Sequence, residues 1–256
     1  MPLPTFVIVG AQKCGTSTLS ATLRLHPQVF MSRPKELHFF DRRYDQGLEW
    51  YSEQFKPRRR HLAAGEASPS YLYDDDAPER IAESLPDTKL IVMLRDPAKR
   101  AYSHYWHTQR LGAETVDFET ALATESERID SDKPSDRSRY SYVDRGHYLP
   151  QVQNLASLVG RDRLHVVLLD DLADDRVASL RRVFDFLGID TARADTIEEK
   201  WTNKYRVQKT PGDKAEPVAY PPMKPETRAQ LVKHFRPHND RLAAWLGRDL
   251  SAWNVP

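Results

Sequence analysis

"FVIVGAQKCGTSTLSATLRLHP", residues 6–27, runs apolar to Gly10, crosses a short loop closed by Gly15, and reopens as Thr16-Ser17-Thr18 ahead of a leucine-spaced stretch. That order predicts strand, tight loop and helix. Backbone N–H groups at such a helix start, together with its dipole, favour an anion. A Walker loop reads Gly-x-x-x-x-Gly-Lys-Ser/Thr. Here Gly10 and Gly15 keep the step, but Thr16 stands in the lysine position and the lysine, Lys13, lies inside the loop. The Walker lysine serves the β- and γ-phosphates of a triphosphate. Its displacement argues against triphosphate chemistry. It suits a 5′-phosphate bearing a single transferable group, with Lys13 as the cation at the leaving oxygen.

Working outward, the apolar runs Thr5–Val9, Lys89–Leu94 and Leu164–Leu169 read as buried parallel strands, with Val29–Met31 and Leu62–Gly65 as shorter ones. Helical patterns cover Ser17–Leu25, Ala77–Ser84, Ala98–Leu111, Phe118–Glu127, Tyr148–Val159, Val177–Leu187, Pro225–Phe235 and Asn239–Leu246. Strands alternating with helices predict an α/β fold: a P-loop-like, three-layer arrangement of a central, mainly parallel sheet flanked by helices. With 256 residues, a single domain over 1–256 is expected. The polar Ile129–Ser141 reads as a loop, and the proline-rich Asn203–Pro225 as either a lid or a disordered connection.

Net charge is +1, from 38 basic and 37 acidic residues, and the one obvious basic cluster is Arg58-Arg59-Arg60, so nucleic acid is not an expected partner. No stretch approaches the ~20 apolar residues of a membrane span. The N-terminus lacks the charged region of a signal peptide. With the single cysteine, Cys14, these features predict a cytoplasmic protein without membrane insertion.

The chain resembles the sulfotransferases that use 3′-phosphoadenosine-5′-phosphosulfate (PAPS), in particular the heparan sulfate N- and 3-O-sulfotransferase group and its bacterial relatives. "IVGAQKCGTSTL" is similar to their phosphosulfate loop, "RPKELHFFD" (Arg33–Asp41) to the segment with their catalytic glutamate, and "LIVMLRDPAKRAYSHYWH" (Leu90–His107) to their 3′-phosphate strand and helix. "GLEWYSEQF", "GEASPSYLY", "RGHYLPQVQNL" and "HNDRLAAWLGRDLSAW" follow in kind and order. The resemblance implies transfer of a sulfuryl group from PAPS to a hydroxyl, or by the same geometry an amine, of a glycan, lipid or small molecule, releasing 3′-phosphoadenosine 5′-phosphate (PAP). It implies that Lys13, Cys14, Gly15, Thr16, Ser17 and Thr18 hold the phosphosulfate and that Arg95 and Ser103 hold the 3′-phosphate. It offers Lys209 and Lys214 as candidates from the late loop. Glu36 is implied as the catalytic base, Lys13 as the cation at the leaving phosphate, and His107 as an accessory catalytic group.

Physical chemistry adds three expectations. Before the apolar "LHFF", Glu36 is expected in a partly enclosed cleft whose desolvation raises its pKa. Cys14, beside Lys13 among N–H donors, is expected to be an acidified, reactive thiol. No metal is expected, because the His, Asp and Glu residues show no metal-ligand spacing. The chain also departs from the family: Ala67 replaces a lysine that serves the glycosaminoglycan enzymes' active site, and the late loop's cysteine pair is missing. The rival readings are a P-loop small-molecule kinase, disfavoured by Gly15-Thr16-Ser17 and by Arg95 where a magnesium carboxylate belongs, and a non-catalytic scaffold on the same fold.

Overall fold

The computed structural model describes residues 2–197, 206–207, 216–217 and 220–256. In chain order the elements are Phe6–Gly10 (β1), Thr16–Leu23 (α1), Val29–Met31 (β2), Phe39–Arg42 (α2), Gly47–Glu53 (α3), Ala63–Ala67 (β3), Ala77–Ser84 (α4) and Lys89–Leu94 (β4). There follow Pro97–Arg110 (α5), Phe118–Ala123 (α6), Glu125–Ile129 (α7), Pro134–Tyr140 (α8), Tyr148–Val159 (α9), Leu164–Leu168 (β5), Leu169–Asp174 (α10) and Arg176–Leu187 (α11). The two-residue strands Arg206–Val207 (β6) and Glu216–Pro217 (β7) pair antiparallel, and Pro225–Leu246 (α12) is the last long helix.

The chain divides into two compact units, Met1–Arg95 with Gln151–Thr202, and Asp96–Pro150 with Asn203–Pro256. The first holds a five-stranded sheet in the order β2-β3-β1-β4-β5, every adjacent pair parallel. Every residue of β1 and β3 is buried, as strands covered on both faces must be. Small side chains make that possible in β3: a Cβ on Gly65 would lie 2.5 Å from the Phe6 ring. The expected strand Leu62–Gly65 therefore starts one residue later and extends to Ala67, where Ile8 pairs with it. From β1 the chain moves to β2 on one side, while β4 lies on the other. The turns after β1 and β4 thus flank the switch point where open α/β sheets bind ligands.

The second unit packs α5, α6 and α12 around Ala98, Ala101, Tyr105, Phe118, Tyr142, Leu231 and Phe235. Here the structure corrects three expectations. The helix predicted over Phe118–Glu127 breaks at Thr124, giving α6 and α7. The loop predicted over Ile129–Ser141 contains α8, whose Tyr140 donates to the Ala113 carbonyl (3.0 Å) and lies under the Arg128 guanidinium. The two predicted C-terminal helices are one, running through Pro237. An internal proline costs a helix hydrogen bond, but Leu231, Val232 and Phe235 before it and Leu242 after it are all buried, and their packing outweighs that loss. Among the described residues no helix is long and apolar enough to cross a membrane.

Candidate active site

The loop after β1 is shaped by two glycines. A Cβ on Gly10 would lie 2.5 Å from Leu72 Cβ, and one on Gly15 would lie 2.7 Å from Leu169 Cδ1. Gly15 also has φ +91°, a left-handed geometry that glycine adopts without steric cost. It precedes α1 without a side-chain cap, and the first turn of α1 carries no acidic residue. The helix start is therefore electropositive, with no acidic side chain in its own first turn to offset the dipole. Thr16 and Thr18 are buried beside it, and Ser17 and Lys13 are half-buried. Arg95, the residue after β4, donates to the Lys13 carbonyl at 3.5 Å. Sequence-distant Lys13, Thr16–Thr18 and Arg95 thus meet at the carboxyl ends of two adjacent central strands.

Cys14 corrects the reactive-thiol expectation. Its side chain has no exposed surface and its N–H donates to the Ala11 carbonyl (3.2 Å), so the thiol is part of the core beneath the loop.

Glu36 lies in the turn after β2, and this turn is held by the segment after β3. Glu66 is fully buried at the end of β3 and accepts from Tyr51 Oη (3.0 Å), Tyr71 Oη (2.9 Å) and Ser68 Oγ (2.7 Å). Tyr71 Oη in turn accepts from the Phe39 N–H (2.8 Å), and Ser68 Oγ from the His38 N–H (3.3 Å). The start of α2 is thereby tied to β3 through a buried carboxylate. On this support sits a charged chain. Lys35 ion-pairs with Glu36, whose Oε2 is 3.6 Å from His38 Nε2. His38 Nδ1 lies 2.9 Å from Asp41 Oδ2, which also accepts from Ser70 Oγ at 2.6 Å.

This corrects the expected charge state of Glu36. Burial does act to raise its pKa, but the close contact with His38 and the charge and hydrogen bond of Lys35 outweigh burial and hold it at about 2. For His38, burial acts to lower the pKa, and the bonds to Asp41 and Glu36 overcome it, pushing it up to about 9. At neutral pH the row is Lys⁺, Glu⁻, His⁺, Asp⁻. His38, Asp41 and Ser70 were missed in the sequence. The signal available was the three-residue step from His38 to Asp41 inside "KELHFFD".

Lys13, Glu36 and His38, with φ of 70°, 63° and 52°, are the left-handed non-glycine residues among those described. Such backbone costs on the order of 1–3 kcal/mol per residue and collects at functional sites. Below the same strand β2, a cavity of about 650 Å³ is lined by Arg24, Arg33, Lys56, Arg58, Arg60 and Glu53 among others.

Ser103 and His107 lie half-buried on α5, in the second unit, and Arg110 Nη2 is 3.1 Å from His107 Nδ1. Asp96 is committed elsewhere: it caps α5 through the N–H groups of Ala98 and Lys99 and accepts from Arg228 (3.0 Å). Lys209 and Lys214 lie outside the described residues.

A family described as the sulfotransferase domain matches residues 3–238. The chain is 32% identical over 258 residues to heparan sulfate glucosamine 3-O-sulfotransferase 3B1 of Mus musculus, which covers 96% of this chain and 64% of that protein. It is 31% identical over 272 residues to bifunctional heparan sulfate N-deacetylase/N-sulfotransferase 2 of Bos taurus, covering 98% of this chain and 30% of that protein. The chain therefore spans less than two-thirds of the length of either relative. Among solved structures, a sulfotransferase from Alicyclobacillus acidocaldarius superposes with TM-score 0.79 at 32% identity, covering 100% of both chains.

Proposed function

The chain belongs to the sulfotransferase domain family, and from that premise we propose that it moves a sulfuryl group from PAPS to a hydroxyl of a glycan or small molecule, releasing PAP. The family match runs through both compact units, which supports reading 1–256 as one catalytic domain. The observation that carries the proposal is the left-handed backbone at Lys13, Glu36 and His38, which puts local strain at the loop expected to hold the donor and the turn expected to hold the base.

The residues present fit the donor. The start of α1, whose first turn carries no acidic residue, with Lys13 and Arg95 beside it, would hold a phosphosulfate. When bound, PAPS supplies an activated sulfuryl group on a phosphate leaving group. Lys13 and the loop amides would offset charge growing on the leaving oxygen. Glu36 would take the acceptor proton. His38, fixed by Asp41, holds Glu36 in place and shares its charge. His38 and Lys35 both damp the basicity of Glu36, and that basicity rises when Lys35 turns away, for instance toward a bound anion. Ser103 and His107 keep their proposed roles, 3′-phosphate ligand and accessory catalytic group, on resemblance alone. The cationic cavity under β2 favours an acceptor that carries negative charge. The single, buried cysteine suits a reducing, cytoplasmic compartment.

The test uses the full chain. PAP should raise its melting temperature without Mg²⁺, and labelled PAPS should pass its sulfuryl group to members of an acceptor panel that includes anionic glycans. Stabilisation by ATP with Mg²⁺, and none by PAP, would return the reading to a kinase.

A further inference from the structure

Outside the residues assigned to sulfuryl transfer, three imidazoles meet inside the second unit. His147 follows the turn Asp144–Gly146, and His234 and His238 stand one turn apart on α12. One ring nitrogen from each lies within 4.8 Å of the other two. His147 Nε2 is 3.0 Å from His234 Nε2, and the His147 and His238 ring centroids are 4.5 Å apart. On its other side His147 Nδ1 is 3.1 Å from the Asp144 carbonyl and 3.6 Å from its carboxylate. A proton on Nδ1, donated to that carbonyl, leaves a lone pair on Nε2 aimed at His234. A histidine held through one nitrogen by a carbonyl or carboxylate is how proteins orient a metal ligand.

The turn is seated before any ligand arrives. A Cβ on Gly146 would lie 2.8 Å from the Phe235 ring, so the backbone beside His147 rests directly on the residue that follows His234.

We propose that His147, His234 and His238 form a site for a divalent transition metal of the zinc class, with water completing the coordination. Three imidazoles plus an open position suit Zn²⁺, and imidazole nitrogen also suits Ni²⁺ and Cu²⁺, whereas Mg²⁺ and Ca²⁺ take oxygen ligands. Metal binding requires His234 to carry its proton on Nδ1, which frees its Nε2 beside that of His147. Arg241 opposes the site: its Nη2 is 3.1 Å from His238 Nδ1, a contact that keeps the proton of His238 on Nε2. Bound metal would clip the turn before α9 to α12. No ligand spacing is visible in the sequence when one helix ends at Phe235 and the next begins at Asn239. Only a continuous α12 puts His234 and His238 on one face.

The test takes the full, tag-free chain, strips it with chelator, and titrates Zn²⁺ and Co²⁺ by calorimetry, thermal melting and the visible absorption of bound Co²⁺. One metal per chain, a raised melting temperature and a Co²⁺ spectrum of low coordination number are expected. His234→Ala and His238→Ala should each weaken Zn²⁺ by about tenfold or more, the scale on which metal-site supports act. Arg241→Ala should tighten it. A variant that melts in chelator as the parent does is folded, so its lost zinc response reads the site. His234→Gln, at an exposed position, replaces any alanine variant that fails this check. No Zn²⁺ binding, binding unchanged in the folded histidine variants, or an equal response to Mg²⁺ would overturn the proposal.

Discussion

In the turn after β1 the groups that shape the loop are mostly backbone: Gly10 and Gly15 make room, and the first turn of α1 carries no acidic side chain. In the turn after β2 they are side chains, and Lys35, Glu36, His38 and Asp41 are held in a row by Ser68, Ser70 and Tyr71 from a different loop. Backbone amides keep one charge distribution at every pH. A row of titratable side chains has a charge state that its neighbours set, and that state changes when one neighbour leaves. On the proposed assignment the difference separates a fixed anion cradle from an adjustable base, and six substitutions probe that separation.

The largest effect is expected at Glu36. Glu36→Gln keeps the size of the side chain but cannot accept the acceptor proton, so kcat should fall by ~10²–10⁴-fold, the usual contribution of a general base. PAP affinity, read by calorimetry, should stay near that of the parent. Equal loss of PAP binding would merge the two regions into one.

Next comes the cradle. Arg95→Ala removes a cation from the loop carrying Lys13 and should weaken PAP by about 1.5–3 kcal/mol, the scale of a charge-assisted hydrogen bond. With the proposed base Glu36 unchanged, kcat at saturating PAPS should drop less than in Glu36→Gln.

Gly15→Ala tests the backbone half directly. Its φ of +91° and the 2.7 Å approach to Leu169 make any Cβ strained, so a loss of about 1–3 kcal/mol in unfolding free energy is expected by denaturant titration. PAP affinity should fall with it, whereas Ala at Gly47, where a Cβ meets nothing within 4 Å, tests the left-handed backbone alone.

The smallest and most diagnostic effect is in pH dependence. Lys35→Ala removes a cation that helps hold Glu36 at about 2, so the Glu36 pKa rises and the acid limb of kcat/KM moves to higher pH. His38, raised to about 9, contributes stability in full below its ordinary 6.5, and that contribution is lost as pH rises through about 9. Glu36 works in the opposite sense: its contribution is present above its ordinary 4.5 and lost as pH falls through about 2. Melting curves of His38→Gln against the parent should converge above pH ~9, where neutral His38 has little left to lose. Curves that keep their separation there would make His38 a packing residue.

Much was legible before any coordinates. The strand–loop–helix around Lys13, the strands Val29–Met31 and Lys89–Leu94, and the helices Ala77–Ser84 and Tyr148–Val159 are local patterns: apolar runs, glycine steps and helical periodicity that each segment carries by itself. The place of Arg95, just after the strand Lys89–Leu94, was legible for the same reason, while its role as a phosphate ligand rests on the resemblance. What the tertiary structure alone decided depends on partners far apart in the chain. Tyr140 reaching Ala113 lets α8 form in a polar stretch, and the buried core on both sides of Pro237 carries α12 through it. Ser70 bonding Asp41, and the buried Glu66 beneath them, assemble the row that sets the charge of Glu36. His147 meets His234 only because a turn of the chain rests on Phe235. Periodicity reports the face a residue takes within its own element, whereas a pKa or a ligand set is fixed by the charges and lone pairs that folding brings within a few ångströms.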